Sequence, residues 1–349
     1  MNIHIGNKIK DLRLKKGITQ EGLAEMLGVT SQAVSKWEND NTYPDILLLP
    51  KLAIYFGISI DELFALTDEA HMERIQNMIY DERMLSQDDF LYAEKFLKGK
   101  LDDQDRKGKC LTLLAELYNH RAKGYHELAG HYAKEALIIE PNKKDNHCAL
   151  REAKNGAIAD WNIDNHHELI EYYKDFTRKH PDYWNGYLWL IDNLLADGRL
   201  LEAKETVEIM NHLHPGYLYY QYNGKIAYLG GNIKEAKEIW NSMLELYPNE
   251  WLAWFSVGDN MARMCEYDKA IEYFCKAFEL QEKPRFLDAL ESIYHVHEII
   301  GNYNEAIKVI NQIIVLLKEE WNITMGESVD FYEREIERLK RKSINYPHN

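Results

Sequence analysis

Five cationic side chains lie close together near the N-terminus, and such a cluster has the chemistry to bind phosphate groups. They are Lys8, Lys10, Arg13, Lys15 and Lys16, with Asp11 as the single carboxylate among them. Electrostatic affinity for nucleic acid depends on where charge sits, and not on the sum over the chain. The chain carries a net charge of -15, yet residues 1–65 hold seven cationic and eight anionic side chains. The acidic excess therefore belongs to the rest of the chain, which should avoid phosphate.

The other reactive side chains do not form a catalytic or metal-binding set. The cysteines are scattered, with no CxxC or CxxH spacing, which predicts reduced thiols: Cys110, Cys148, Cys265 and Cys275. His166 and His167 are neighbours that would point apart on a helix, and His297, close to His295, falls at an inward packing position. Carboxylate pairs are frequent, but none is linked to a nucleophile or a glycine-rich loop. We therefore predict no enzyme, no metal site and no cofactor.

The hydrophobic spacing of the first 65 residues predicts five short helices. The apolar rhythm starts at Ile3, and its breaks fall at residues that cap or end helices: Gly17, Thr19, Gly28, Thr30 or Ser31, Pro44 and Gly57. The third helix would turn Ala33, Val34 and Trp37 inward. Because only Gly28-Val29-Thr30 separates the second and third helices, these two must cross steeply.

The segment ITQEGLAEMLGVTSQAVSKWEND, followed by YP and LLLPKLAIYFGISIDELF, resembles the Cro/phage-repressor (XRE) helix-turn-helix family. The likeness covers residues 3–66 and rests on the spacing of TQ, LA, G-V, the inward Val34 and Trp37, WEN and the closing G-I-S-x-D-x-L. It implies that residues 1–66 form a five-helix, lambda-repressor-like DNA-binding domain. In that family the third helix enters the major groove of DNA.

The resemblance also implies roles for individual residues. Outward, base-reading positions fall on Ser31, Gln32, Ser35 and Lys36, and contacts to the DNA backbone fall on Gln20 and Asn39. The DNA-binding set is completed by Thr30, and Arg13 and Glu38 match a structural ion pair. Glutamine tends to bind adenine and lysine tends to bind guanine. Because these are only tendencies, the base that each residue reads stays open. The alternative is that residues 31–39 are only the solvated face of a helix.

Residues 67–109 predict a helical linker. Ile75, Met78 and Ile79 keep a helical spacing, a second short helix follows near Phe90, and the charged residues 102–109 predict a loop.

From Cys110 onward a repeat emerges, with prolines at positions 141, 181, 215, 248 and 284. Two segments resemble the tetratricopeptide pattern: Tyr220, Gly224, Ala236, Trp240 and Pro248 in one, and Trp254, Val257, Gly258, Ala270, Phe274, Ala277 and Pro284 in the other. Weaker copies begin near residues 110, 150, 184 and 287. We expect Gly224 to face Ala236, and Gly258 to face Ala270, where helix backbones approach. The predicted fold is all-α, with a tetratricopeptide-type α-solenoid and a capping helix over residues 110–349.

Tetratricopeptide arrays bind peptides or proteins in a concave groove that is lined mainly by the first helix of each hairpin. Repeat position predicts the groove residues of this chain: Asp192, Gln221, Lys225, Tyr228, Asp259, Arg263 and His295. The alternative is that they are ordinary solvated residues. The whole layout resembles the peptide-responsive RRNPP regulators of Gram-positive bacteria, in which a short peptide binds the array.

These features predict a sequence-specific transcriptional regulator that binds double-stranded DNA as a homodimer, under the control of a peptide or protein. The array, rather than the small N-terminal domain, should supply most of the dimer contact. The rival is an interaction scaffold or partner-sequestering regulator with an N-terminal docking module, which would not need Gln20, Gln32 or Lys36. The N-terminus does not look like a signal peptide, and no apolar run reaches 18 residues, which predicts a cytoplasmic protein without a membrane partner.

Overall fold

The computed structural model of the protein describes residues 5–64 and 67–345. Across these ranges, the regular secondary structure is helical throughout, which confirms the all-α prediction. Ile3, residues 65–66 at the predicted end of the first domain, and residues 346–349 of the predicted array lie outside the described residues. The chain divides into two compact units between Tyr132 and Ala133, whereas the predicted boundaries after residues 66 and 109 stay predictions.

The first unit begins with the five predicted helices. They are α1 (Ile5–Lys15), α2 (Gln20–Leu27), α3 (Ser31–Glu38), α4 (Leu49–Phe56), which follows a 3-10 turn at Ile46–Leu48, and α5 (Ile60–Phe64). The side chains of Thr19 and Thr30 cap α2 and α3, accepting from the amides of Gly22 at 3.1 Å and Ala33 at 3.2 Å. Gly28 ends α2 with a left-handed φ of 72°, a conformation that glycine adopts without strain.

The predicted linker contains two helices, α6 (Asp68–Asp81) and α7 (Gln87–Lys98). They form a hydrophobic core of their own with the first part of α8 (Gln104–Ile139), built around Ile75, Leu97 and Leu117. The loop prediction for residues 102–109 is wrong. The helix α8 begins inside that segment, because Asp103 caps it by accepting from the amide of Asp105 at 3.1 Å, and the charges then lie on exposed helical faces.

The second unit contains α9 (Lys144–Ala153), α10 (His167–Lys179) and four antiparallel helical hairpins. The hairpins are α11 (Trp184–Ala196) with α12 (Leu200–Leu213), α13 (Tyr217–Leu229) with α14 (Ile233–Leu246), α15 (Trp251–Arg263) with α16 (Tyr267–Glu279), and α17 (Asp288–Ile299) with α18 (Tyr303–Glu320). The charged helix α19 (Glu327–Asn345) packs on α18 at the end of the array, as predicted for a capping helix. A helix-turn-helix region followed by a tetratricopeptide-type array is therefore confirmed.

Two of the weaker repeats are not hairpins. The copy predicted from about residue 110 lies in α8, which runs unbroken to Ile139 because no proline interrupts it. The copy predicted from about residue 150 fails because residues 154–166 between α9 and α10 are not helical. Hence the hairpins start at Trp184.

The repeat glycines lie directly against large aromatic rings, and their predicted approach to Ala236 and Ala270 stays a prediction. A Cβ added to Gly224 would lie 2.1 Å from Nε1 of Trp240, and one added to Gly258 would lie 2.7 Å from Cδ1 of Phe274. The atoms nearest to each added Cβ therefore belong to the ring of the second helix. Trp240 is fully buried there and donates from Nε1 to the carbonyl of Gln221 at 3.3 Å.

The variant Gly224→Ala should destabilise the array by about 1–3 kcal/mol, because the new methyl group and the buried Trp240 ring cannot share one volume. Gly108→Ala is the matched control, since Gly108 is also helical and has open space around it; this change should stabilise by roughly 0.5–1 kcal/mol. Chemical unfolding followed by circular dichroism measures both. Equal stabilities for the two variants would contradict the contact.

Candidate nucleic-acid interface

The inner face of α3 is fixed by burial. Val34 and Trp37 pack into the core of the five-helix domain, together with Ile9, Leu23 and Leu52. Glu38, the last residue of α3, is also buried, with 3% of its surface exposed. A carboxylate in such a position requires partners, because burying an unpaired charge is costly.

Those partners come from α1 and α2. Arg13 donates from Nε to Oε1 of Glu38 at 2.5 Å, from Nη2 to Oε2 at 2.9 Å, and from Nη1 to the carbonyl of Ile18 at 2.8 Å. Gln20 donates from Nε2 to the same Oε2 at 2.8 Å. We call Arg13, Gln20 and Glu38 the clamp. Its bidentate geometry fixes the end of α3 against both preceding helices.

The clamp also sets the protonation of Glu38. Burial by itself would raise the pKa of this carboxyl, but the hydrogen bonds from Arg13 and Gln20 and the charge of Arg13 outweigh it and hold the pKa below its ordinary value. The hydrogen bond from Arg13 to Glu38 in turn raises the pKa of the guanidinium. Both groups are therefore charged at neutral pH.

A second contact between α1 and α3 was not predicted from the sequence. A Cβ added to Gly6 would lie 1.8 Å from the carbonyl oxygen of Trp37, so only glycine permits this approach. The amide of Gly6 donates to Oδ1 of Asp40 at 3.2 Å, and Asp40 itself has a left-handed φ of 54°. The signal available in the sequence was the pair of a helical glycine and an aspartate after a helix, which is too common to interpret alone.

The outer face of α3 presents polar side chains that do not pack against the core of the domain. Gln32 and Lys36 are exposed, and Ser31 and Ser35 are half-buried on the same side of the helix. Within residues 5–64 and 67–345, no hydrogen bond or ion pair involves the side chains of Ser31, Gln32 or Lys36. Four polar side chains at positions i, i+1, i+4 and i+5 thus form one open patch.

The remaining residues of the predicted DNA-binding set carry structural hydrogen bonds. Gln20 belongs to the clamp, Thr30 caps α3, and Asn39 donates from Nδ2 to the carbonyl of Ser35 at 2.7 Å. Thr30 uses its oxygen as an acceptor in the cap, so its hydroxyl hydrogen can still be donated.

Fewer cationic side chains of the N-terminal cluster are available to bind phosphate than the sequence suggests. Arg13 is buried in the clamp, and Lys16 donates to the carbonyl of Tyr55 while its Nζ lies 4.0 Å from the centre of the Tyr55 ring. Lys10 and Lys15 remain exposed. These two lysines and Lys36 are exposed cations of this region that can meet phosphate.

The residues predicted to line the repeat groove come from the first helices of successive hairpins. Asp192, Lys225, Asp259 and His295 occupy equivalent positions on α11, α13, α15 and α17. Tyr222 donates its hydroxyl to Oδ1 of Asp192 at 3.0 Å.

These groove residues differ in what they can offer a ligand. Burial raises the pKa of Asp192, although the Tyr222 hydrogen bond and the charge of Lys225 act against it. Asp259 accepts from Nε of Arg263 at 3.0 Å, and Tyr228 is half-buried. Gln221 is 7% exposed and accepts from Nδ2 of Asn260 at 3.2 Å, so its side chain does not face solvent.

No helix within the described ranges is long and apolar enough to cross a membrane.

In this five-helix domain, one face of the third helix packs on the core and the other exposes polar side chains. This arrangement is typical of helix-turn-helix DNA-binding domains. Residues 9–63 match the family model described as Helix-turn-helix. The uncharacterized HTH-type transcriptional regulator YgzD of Bacillus subtilis is 38% identical over 63 residues, which are 18% of this chain and 96% of that protein. The chain belongs to the family of helix-turn-helix transcriptional regulators.

Three further known proteins are similar to parts of this chain or to its overall course. The HTH-type transcriptional activator BcrR of Enterococcus faecalis is 33% identical over 87 residues, 22% of this chain and 43% of that protein. Yeast Tom70 has a TM-score of 0.44 at 14% identity, covering 90% of this chain and 66% of that one. Bacillus thuringiensis PlcR, solved with the peptide PapR7 and DNA, has a TM-score of 0.25 at 13% identity, covering 86% and 99%.

The variant Glu38→Gln should destabilise the five-helix domain by roughly 3–5 kcal/mol, because it leaves Arg13 as a buried charge without its counter-ion. Glu25→Gln, an exposed change on α2, is the matched control and should alter stability by less than about 0.5 kcal/mol. Hydrogen exchange of the amides in α1 to α3 reports on this domain within the full chain.

The same pair of variants has a pH signature. Since the folded pKa of Glu38 is depressed, its stabilising contribution is complete above the unfolded value of about 4.3 and is lost as the pH falls through the folded value. Glu38→Gln should lack this acid-dependent component, and Glu25→Gln should retain it. Identical acid profiles for all three proteins would contradict the assignment.

Proposed function

We propose that the protein is a sequence-specific, DNA-binding transcriptional regulator that reads the major groove with α3. The observation that carries this proposal is the asymmetry of α3: Trp37 and Glu38 are held by the domain, and Gln32 and Lys36 are open to solvent. The major groove admits an α-helix, and each base pair presents there a distinct pattern of donors and acceptors. A fixed helix with an unoccupied polar face is suited to read that pattern.

In this proposal the two groups of residues have different tasks. The α3 patch contacts base edges: Ser31, Gln32, Ser35 and Lys36. The helix ends contact the phosphate backbone through Gln20, Thr30 and Asn39, with exposed Lys10 and Lys15 adding electrostatic attraction. Phosphate contacts position the domain, and base contacts specify the sequence.

The regulator acts as a homodimer, because one domain of this kind covers one half-site and the half-sites lie about 34 Å apart. A peptide or protein binds the repeat array and controls the dimer. Support comes from the polar row Asp192, Lys225, Asp259 and His295, which places one hydrogen-bonding side chain on the first helix of each hairpin. Arg263, which donates to Asp259, extends this row along α15.

Selection from a random duplex DNA pool tests the proposed function, using the full chain and, separately, residues 1–70. We expect the full chain to enrich a palindrome with half-sites about one helical turn apart. No enrichment by either protein would favour the interaction scaffold instead. Enrichment by residues 1–70 alone would mean that the array holds the domain off DNA until its ligand binds.

The variant Lys36→Ala should weaken binding to the selected site by about 1–3 kcal/mol and relax the preference at one base position, because Lys36 would contact a base edge. Lys234→Ala, which removes an exposed lysine from the repeat array, controls for the change in net charge. Fluorescence anisotropy on the selected site and on single-base variants measures both effects. A loss of equal size on every sequence would make Lys36 a phosphate contact.

A further inference from the structure

The long helix α8 carries a regular stripe of side chains that its own chain leaves exposed. Large residues recur every seven positions: Leu111, Tyr118, Tyr125, Tyr132 and Ile139. Alanines recur every seven positions between them: Ala115, Ala122, Ala129 and Ala136. The steps along the stripe alternate between four and three residues, which is the a/d spacing of a coiled coil with alanine at a and a large residue at d. We call these nine residues the α8 seam.

Most of the surface of the α8 seam is open to solvent. Tyr132 is 67% exposed and Ile139 is 80% exposed, and the alanines between them are open or half-open. Tyr118 packs edge-on against Phe90 and donates its hydroxyl to Glu94, yet 44% of its surface stays exposed. The opposite side of the first half of α8 already buries Leu113 and Leu117 in a core, so the stripe is a second apolar face. Contiguous exposed apolar patches of this kind mark association surfaces.

The size pattern of the seam fits a second copy of the same helix, running antiparallel. In a parallel pair, layers of two alanines would alternate with layers of two large residues, and no single distance between the helices would suit both. In an antiparallel pair, each layer combines one alanine with one large residue, so the helices stay at a constant separation. The seam is therefore complementary to itself.

Charges beside the seam select the register. Two antiparallel registers pair all four alanines with large residues. In the first, Arg121 lies next to the partner's Glu135 on both sides of the two-fold axis, and Leu128 meets the partner's Leu128. In the second, Arg121 would meet the partner's Leu128, and Glu135 would meet the partner's Leu114. Flanking ion pairs set orientation and register in coiled coils, which favours the first.

We propose that two copies of the protein associate through the α8 seam as an antiparallel coiled coil, in which Ala122 faces the partner's Tyr132 and Ala129 faces the partner's Tyr125. The inference deepens the proposed function, on which it rests for the homodimer. It places the dimer contact on α8.

Sedimentation equilibrium of the full chain tests the seam. The wild-type protein should be a dimer, and Ala129→Glu should weaken self-association at least about 100-fold, because two carboxylates would be buried without partners at the centre of the contact. Lys134→Glu is the matched control: it changes the charge more, on the opposite side of α8, and should leave the dimer unchanged. Circular dichroism should be the same for all three proteins. A monomeric wild type, or an Ala129→Glu dimer of undiminished affinity, would overturn the proposal.

Disulfide formation tests the orientation. The double variant Ala122→Cys/Tyr132→Cys should give a covalent dimer on oxidation, since the two positions face each other across the antiparallel pair. The single variant Tyr132→Cys should give no more dimer than the wild-type protein, whose own cysteines set the background. Efficient cross-linking of the single variant would mean a parallel pair and would overturn the antiparallel assignment.

The DNA selection separates this inference from the proposed function. If the Ala129→Glu protein still dimerises and still enriches a palindrome, the α8 seam proposal is wrong and the proposed regulator function stands. If the dimer depends on the seam but the protein enriches no DNA, the proposed function is wrong and the seam proposal stands.

Discussion

The buried ion pair between Arg13 and Glu38, joined by Gln20, is the interaction on which the candidate DNA interface depends. It connects the first three helices at one carboxylate, and the orientation of α3 follows from it. Buried ion pairs contribute little net stability compared with apolar packing, but losing one partner is costly. This pair fixes the relative orientation of the helices, because both hydrogen bonds of the bidentate guanidinium can form in only one arrangement of the helix ends. Gly6 supplies the same constraint sterically, since its missing side chain lets α1 touch the carbonyl of Trp37.

The repeat array uses size complementarity where the first domain uses charge. In two hairpins a glycine on the first helix makes room for a buried ring on the second, Trp240 in one and Phe274 in the other. The α8 seam has the same alternation of small and large residues, but its large residues are exposed and do not fill a hairpin. A single physical rule, small against large at close helix contacts, thus accounts for hairpins within the array and for the proposed contact between copies.

Local signals made the first domain predictable. Caps at Thr19 and Thr30 and the left-handed Gly28 are specified by residues within one turn of the helix ends, so they can be found without knowing the tertiary fold. The pairing of Arg13 with Glu38 came from family resemblance, because nothing local joins residues 25 positions apart. The approach of Gly6 to Trp37 was missed for the same reason.

Errors arose where one pattern fits two structures. Alanines at seven-residue spacing, such as Ala129 and Ala136, fit a crowded repeat position and also an exposed coiled-coil stripe. Only the unbroken course of α8 separates the two. The charged residues 102–109 have the composition of a loop, and the Asp103 cap makes them a helix start instead. Which residue occupies the space beside Gly224 depends on how helices pack, and composition alone does not determine it.

Replacing the purines of the selected operator by their 7-deaza analogues, and measuring affinity for the wild-type chain, tests the central claim most directly. The substitution removes the N7 acceptor from the major groove and leaves base pairing and the minor groove intact. Major-groove reading by α3 predicts a loss of about 10- to 100-fold at positions within each half-site, and little change outside them. Full affinity for an operator with every purine replaced would contradict the claim that α3 reads base edges in the major groove.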